Sequence, residues 1–419
     1  MLKVLKFSSE TEASASDFSA NYRLGSAFQP IFSPTHQRLV GYEALARAKN
    51  QGQDVSPKAL LEQARIENRT ETLDRQLLQH HIGNFASYDR PVWLFLNITP
   101  ATCIHPDDSL NELAAQCALN GIEPDRVVLE VVETAATNDP ALLRFVREAK
   151  QRGFQIAIDD FGVDDSNFER MWRLEPLIVK LDRSLLVNAQ NHSHARRLLE
   201  SLVKMIRESG SLVLLEGIEN ERQAAIALAT EADLLQGFLF GRPGPLDKSV
   251  IKPAETGFIT NLARARENSR EDFENHETYL QLVRTGISAA CRDIAGQQGF
   301  REACEKLLGI KGIKRCFLLN EQGVQQGGSV SDYQEKKQSV FNPLYFSSGA
   351  CWAHREYFRS ALRHPDSLSI SRPYVALPDA VRTITLSTLL DLDGHRRVFC
   401  VDLHPDAIFD GQLSFPAML

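Results

Sequence analysis

Short apolar runs, each ending in a carboxylate or an amide, set the narrowest bound on how this chain folds. Glu43, Asn97, Glu130, Asp159 and Asp160 stand at or near the ends of such runs. The runs read Val92-Trp-Leu-Phe-Leu-Asn97, Val127-Val-Leu-Glu130 and Phe154-Gln-Ile-Ala-Ile-Asp-Asp160. Leu177-Ile-Val-Lys-Leu-Asp182, Ser211-Leu-Val-Leu-Leu-Glu216 and Leu234-Leu-Gln-Gly-Phe238 continue the series. Runs of this length, rich in Val, Ile, Leu and Phe, read as strands buried on both faces of a parallel sheet. Core packing alone does not call for an oxygen-bearing side chain at the exit of strand after strand. A barrel that gathers oxygen ligands around divalent cations at one mouth does.

At 419 residues the chain exceeds one ordinary core, and a (β/α)8 barrel takes about 250 of them, so two domains are expected. With 43% hydrophobic and 24% charged residues the composition is that of a soluble globular protein. A net charge of −7 argues against a general DNA-binding surface, yet leaves a local site for a small anion possible. The seven cysteines, at 103, 117, 291, 304, 316, 351 and 400, contain no Cys-x-x-Cys pair. That suits a reducing cytosol and speaks against a zinc ribbon or a disulfide scaffold. Lysines interrupt the amino-terminal Met-Leu-Lys-Val-Leu-Lys, so it does not read as a signal peptide. No stretch approaches the roughly 18 apolar residues of a membrane span. A cytoplasmic protein is expected.

Residues 1–20, rich in Ser, Glu and Ala, are expected to form an irregular arm. The run from Ala27, the polar Pro34-Thr-His-Gln and the run from Arg38 to Arg47 predict a hairpin, so the barrel opens with an antiparallel first strand. Helical spacing at 58–64, 73–85, 110–120, 141–152, 193–209 and 221–229 alternates with the strands, the pattern of a parallel sheet with helices outside. His80 and His81 are read on a helix surface. The barrel is bounded at 21–255, with a helical connector over 256–308. From 309 to 419 the texture changes to a small α+β domain, in which Thr383–Ser387 and Arg397–Asp402 read as strands joined through Asp393-Gly394.

Tyr42-Glu-Ala-Leu-Ala-Arg47 resembles the signature of the EAL family, the cyclic-di-GMP phosphodiesterases and receptors. Around it, in the family's order, lie Gln29-Pro, Asn97, Leu129-Glu-Val-Val-Glu133, Asp159-Asp-Phe-Gly162, Lys180-Leu-Asp-Arg183, Glu216-Gly-Ile-Glu219 and Gln236-Gly-Phe through Gly241-Arg-Pro243. The resemblance covers roughly residues 21 to 250 and implies a modified (β/α)8 TIM-type barrel. The tail, with Trp352, Arg355, Tyr357 and Ser371-Arg-Pro-Tyr374, is similar to the PAS-like or cache-like domain of YkuI-type EAL proteins.

This resemblance implies that Glu43, Asn97, Glu130 and Asp159 ligate one cation, and Asp159, Asp160 and Glu216 a second. Hard Mg²⁺ or Mn²⁺ suits such oxygen ligands. Lys180 and Gln236 would hold the attacking water, and Glu133 would anchor the loop after Asp160. Gln29, Arg47, Asp182 and Glu219 match positions that contact the ligand. Asp182 is equally suited to a structural ion pair with an arginine. The expected reaction is hydrolysis of cyclic-di-GMP to linear pGpG by a two-metal mechanism. One departure bears on it: the loop Val163-Asp-Asp-Ser-Asn-Phe168 carries Asp164 and Asp165 where active members usually have glycine and an aromatic residue. Activity is then weak or regulated; the alternative is a catalytically inactive cyclic-di-GMP receptor. A homodimer and an unknown small-molecule effector at the carboxyl-terminal domain complete the expectations.

Overall fold

A computed structural model divides the chain into two units, Met1–Asn268 and Ser269–Leu419. The structure describes residues 22–86, 88, 90–132, 140–162, 168–246, 251–296, 298–331, 347–376 and 382–405. The arm expected over 1–20, Glu133, and residues 163–167 of the atypical loop lie outside these.

The first unit opens with the hairpin read from the sequence: β1 (Arg23–Ser33) turns into β2 (Arg38–Asn50), which folds back as β3 (Gln53–Val55). There follow α1 (Pro57–Ile66), α2 (Thr70–Phe85), β4 (Trp93–Ile98), α3 (Pro106–Leu119), β5 (Val127–Val132), α4 (Pro140–Gln151) and β6 (Gln155–Phe161). The unit continues with α5 (Phe168–Leu174), β7 (Ile178–Leu181), α6 (Arg183–Asn191), α7 (Ser193–Glu208), β8 (Leu212–Leu215), α8 (Glu221–Ala229) and β9 (Leu234–Gln236). Strands β2 and β4 to β9 are parallel. β1 pairs antiparallel with both β2 and β9 and so closes an eight-stranded barrel, the modified TIM-type form expected from the sequence.

Each strand is apolar on both faces, for two different reasons. Ile31, Phe95, Val128, Ala157, Ile178, Leu214 and Leu234, one per strand, fill the barrel interior. β2 contributes Gly41, where a Cβ would come within 2.8 Å of the Phe95 ring. The alternate residues, among them Leu94, Leu129, Ile156, Val179 and Val213, join the larger core under the helices. Helices α5 and α6 are additions to those expected from periodicity. His81 corrects the reading of a histidine pair on a helix surface: it is buried, with Nδ1 2.7 Å from the Ser26 hydroxyl. Burial, reinforced by His80 and Arg47, holds its pKa down to about 4.

Helix α9 (Ile251–Ala295) contains the division between the units. The second unit then builds α10 (Phe300–Leu308), β10 (Ile313–Leu319), β11 (Gln325–Ser331), α11 (Glu356–Arg363), β12 (Ser369–Ile370), β13 (Tyr374–Val375), β14 (Arg382–Leu392) and β15 (His395–Leu403). Its antiparallel sheet has the order β11-β10-β15-β14-β12, with β13 also paired to β14. Val283, Ile287, Cys304 and Leu307 pack with Leu386 and Phe399 on one side. Trp352, Tyr357 and Phe358 pack with Phe317 and Val398 on the other. Among the described residues no helix is long and apolar enough to cross a membrane.

Candidate functional site

Two residues beyond the apolar layer, every strand turns polar. Counting from Ile31, Gly41, Phe95, Val128, Ala157, Ile178, Leu214 and Leu234, the next inward positions are Gln29, Glu43, Asn97, Glu130, Asp159, Lys180, Glu216 and Gln236. The period of two along a strand makes this one ring of polar groups on top of one ring of apolar ones. β1 runs the other way, so its Gln29 reaches the same end.

Lys180 Nζ, 1% exposed, lies 2.6 Å from Glu130 Oε1, 2.8 Å from Glu216 Oε1, 2.9 Å from Asp159 Oδ1 and 3.6 Å from Glu43 Oε1. Asn97 Nδ2 donates to Glu43 Oε1 at 3.2 Å and Gln236 Nε2 to Glu43 Oε2 at 2.7 Å. Both amide nitrogens are thereby committed to Glu43, and both amide oxygens are left for other partners. Asp160 joins by a distortion of β6. The register against β7 shifts between Ile158 and Phe161, and Asp160 takes φ 55°, so adjacent aspartates serve one mouth instead of opposite faces. One carboxylate oxygen each from Asp159, Asp160 and Glu216 lie within 4.8 Å of one another. Gly237 brings the exit of β9 against that of β8: a Cβ there would stand 2.1 Å from the Ile218 carbonyl oxygen.

The ring is overcharged. Five carboxylates surround one ammonium. Burial raises Glu130 well above the usual carboxylate range, against the pull of Lys180. Burial likewise pushes Glu216 up to about 8, and desolvation with the neighbouring Asp159 pushes Asp160 up to about 6. Burial alone would depress the Lys180 ammonium, but Asp159, Glu130, Glu216 and Glu43 together carry it well above its ordinary value. Glu130 Oε2 and Gln236 Oε1 are buried without a hydrogen-bond partner. An all-oxygen donor set with surplus negative charge and orphaned lone pairs fits hard divalent cations.

The remaining sequence-derived residues make contacts of their own. Gln29 Nε2 donates to the Gly241 carbonyl at 3.3 Å. Arg47 is exposed, on β2 four residues beyond Glu43, with Nη1 donating to its neighbour's carbonyl oxygen. Asp182 makes no ion pair with Arg183; it caps α6, accepting from the Ser184 amide at 2.7 Å. Arg183 instead grips Glu219 through two contacts of 2.7 and 2.8 Å. Sequence reasoning passed over Phe238. It follows Gln236-Gly237, is 44% exposed, and carries the Arg242 guanidinium 4.4 Å above its ring. The signal lies in Gln236-Gly-Phe itself, which sets an aromatic side chain two residues past the ring amide.

Comparison with known proteins agrees with this geometry. The family model described as EAL domain matches residues 12–243. The EAL-domain containing protein YkuI of Bacillus subtilis is 26% identical over 341 residues, covering 79% of this chain and 82% of its own. The Escherichia coli protein PdeA, a probable cyclic di-GMP phosphodiesterase, is 28% identical over 211 residues, 49% of this chain and 29% of PdeA. The crystal structure of YkuI with substrate c-di-GMP and calcium superposes with a TM-score of 0.72 at 23% identity, over 91% of this chain and 96% of that one. With a matched model spanning more than half its length, the chain belongs to the EAL-domain family.

Proposed function

We propose that this protein hydrolyses one phosphodiester bond of cyclic-di-GMP, giving linear pGpG, with two divalent cations at the barrel mouth. Glu43, Asn97, Glu130 and Asp159 would hold one Mg²⁺ or Mn²⁺, and Asp159, Asp160 and Glu216 the other. Such a pair supplies a water of lowered pKa and neutralises charge on the phosphoryl oxygens. The chain's own groups do the rest. Lys180 holds the water and opposes developing negative charge. Gln236 Oε1 accepts from that water, its nitrogen being fixed by Glu43. Arg47 offers an always-charged fork to a phosphate, and Phe238 offers a ring face to a flat base. Gln29, Asp182 and Glu219 would bound the rest of the ligand, and Glu133 would anchor the loop after Asp160.

The observation that carries this reading is the convergence of Glu43, Glu130, Asp159 and Glu216, from four strands or strand ends, on Lys180 of a fifth. PdeA, the cyclic di-GMP phosphodiesterase PdeF of Escherichia coli, and the YkuI complex with c-di-GMP support the same substrate. Purified full-length chain with Mn²⁺ should release pGpG, and Glu43→Ala should lower turnover by about 10³-fold or more. Absence of product, or activity unchanged in Glu43→Ala, ends the reading. Asp164 and Asp165 in the loop after Asp160 favour a second reading, a receptor whose output is conformational. Calorimetric binding of c-di-GMP in Ca²⁺ without turnover in Mn²⁺ would select it.

The proposal extends to a cytoplasmic homodimer whose PAS-like second unit answers to a small-molecule effector. The effector reading rests on a small cleft in that unit where Phe317, Gln325, Trp352, Tyr357 and Tyr374 set aromatic faces beside polar groups.

A further inference from the structure

Asp74 is a buried carboxylate that the proposed chemistry does not use. It stands on α2, outside the barrel, 4% exposed. Its Oδ2 accepts from the Thr99 amide at 3.2 Å, the Thr99 hydroxyl at 3.0 Å and, in a short contact, the Thr102 hydroxyl. No lysine, arginine or histidine among the described residues pairs with it. Burying a carboxylate without a cation is costly unless its lone pairs are met, so three donors on one oxygen mark a fixed purpose. The threonines belong to the turn that β4 enters as it leaves the sheet, where Thr102 and Cys103 amides bond back to Thr99 and Pro100.

The end of β4 needs that hold. Its pairing with β2 stops at Leu96, whereas the pairing with β5 continues through Asn97 to Ile98. At Asn97 the sheet therefore restrains the strand on one side only. We infer that Asp74 is a positioning residue, which clamps the Thr99–Cys103 turn and thereby sets where β4 presents the Asn97 carboxamide to a divalent cation. This rests on the reading of the mouth as a cation site.

Mn²⁺ titration of the full-length chain tests it, using Asp74→Ala, the double substitution Thr99→Val/Thr102→Val, Asn97→Ala and Asp74→Ala/Asn97→Ala. Asp74→Ala and the threonine double variant should each weaken Mn²⁺ binding about 10- to 100-fold, the range for groups that orient ligands. Because the two act through one carboxamide, adding Asp74→Ala to Asn97→Ala should cost little more than Asn97→Ala alone. If Asp74→Ala does not fold, the near-isosteric valine pair decides the question. Wild-type affinity in the variants, or fully additive losses in the double variant, overturns the clamp while leaving the cation site standing. A wild-type chain that takes up no Mn²⁺ brings down the cation site and the clamp together.

Discussion

Lys180 places one positive charge among five carboxylates, and the imbalance has a pH signature. At an effective dielectric of about 20, two like charges 4.8 Å apart repel by about 3.5 kcal/mol, so Asp159, Asp160 and Glu216 cannot all ionise cheaply without a cation. Burial, with a smaller push from Asp159, carries Glu216 up to about 8 and Asp160 up to about 6. Raised carboxylates bind protons where a cation would bind, so affinity is gained as pH rises through each value and lost as it falls. Mn²⁺ affinity measured from about pH 5.5 to about 8.5 should fall about tenfold per pH unit below 8. The fall should steepen below about 6, where Asp160 takes up a second proton. An affinity flat across that window would mean that neither group is displaced of its proton. The residue types of this cluster were readable in the sequence. The links of Arg183 to Glu219 and of Asp182 to α6 were not, because spacing does not say which of two neighbouring acids an arginine will choose.

Among the elements, β6 departs furthest from its sequence pattern. Adjacent Asp159 and Asp160 imply that the strand must turn where they sit, and it does so by placing Asp160 at φ 55°, a region open to glycine and grudging to other residues. Asp160→Gly removes both the backbone strain and one of the crowded charges. It should raise unfolding free energy by about 1 kcal/mol while depressing turnover. Urea denaturation in chelator beside a turnover assay checks the pair of effects; a destabilised variant would show that the conformation is not strained. The barrel strands were legible because burial on both faces makes their runs continuous. Helix α6 was hidden for the opposite reason: only Asp182 separates it from β7, so no turn residues announce it. Asp74 in α2 was hidden too, since an acid in an amphipathic helix ordinarily faces water.

At the scale of the molecule, each hydrophobic core draws its residues from one unit. Ile31 to Leu234 fill the barrel, and the sheet of the second unit is packed by Val283, Leu307 and Phe399 on one face and by Tyr357 and Phe358 on the other. The second unit was the less legible half. Its β14–β15 hairpin was marked by Asp393-Gly394, both at positive φ, but its interior holds a polar chain that no periodicity reveals. Arg315 Nε donates to Asp402 Oδ2 at 2.6 Å, and the Thr385 hydroxyl donates to Asp402 Oδ1 at 2.6 Å. Removing one partner of a buried ion pair costs about 3–5 kcal/mol, and separate cores unfold as separate cooperative blocks. Calorimetry should therefore resolve two transitions. Asp402→Ala should lower one of them, while Mn²⁺ at a hundredfold excess over its Kd should add about 2.7 kcal/mol and raise the other alone, by roughly 5–10 °C. A single transition that both perturbations move together would show that the two units fold as one.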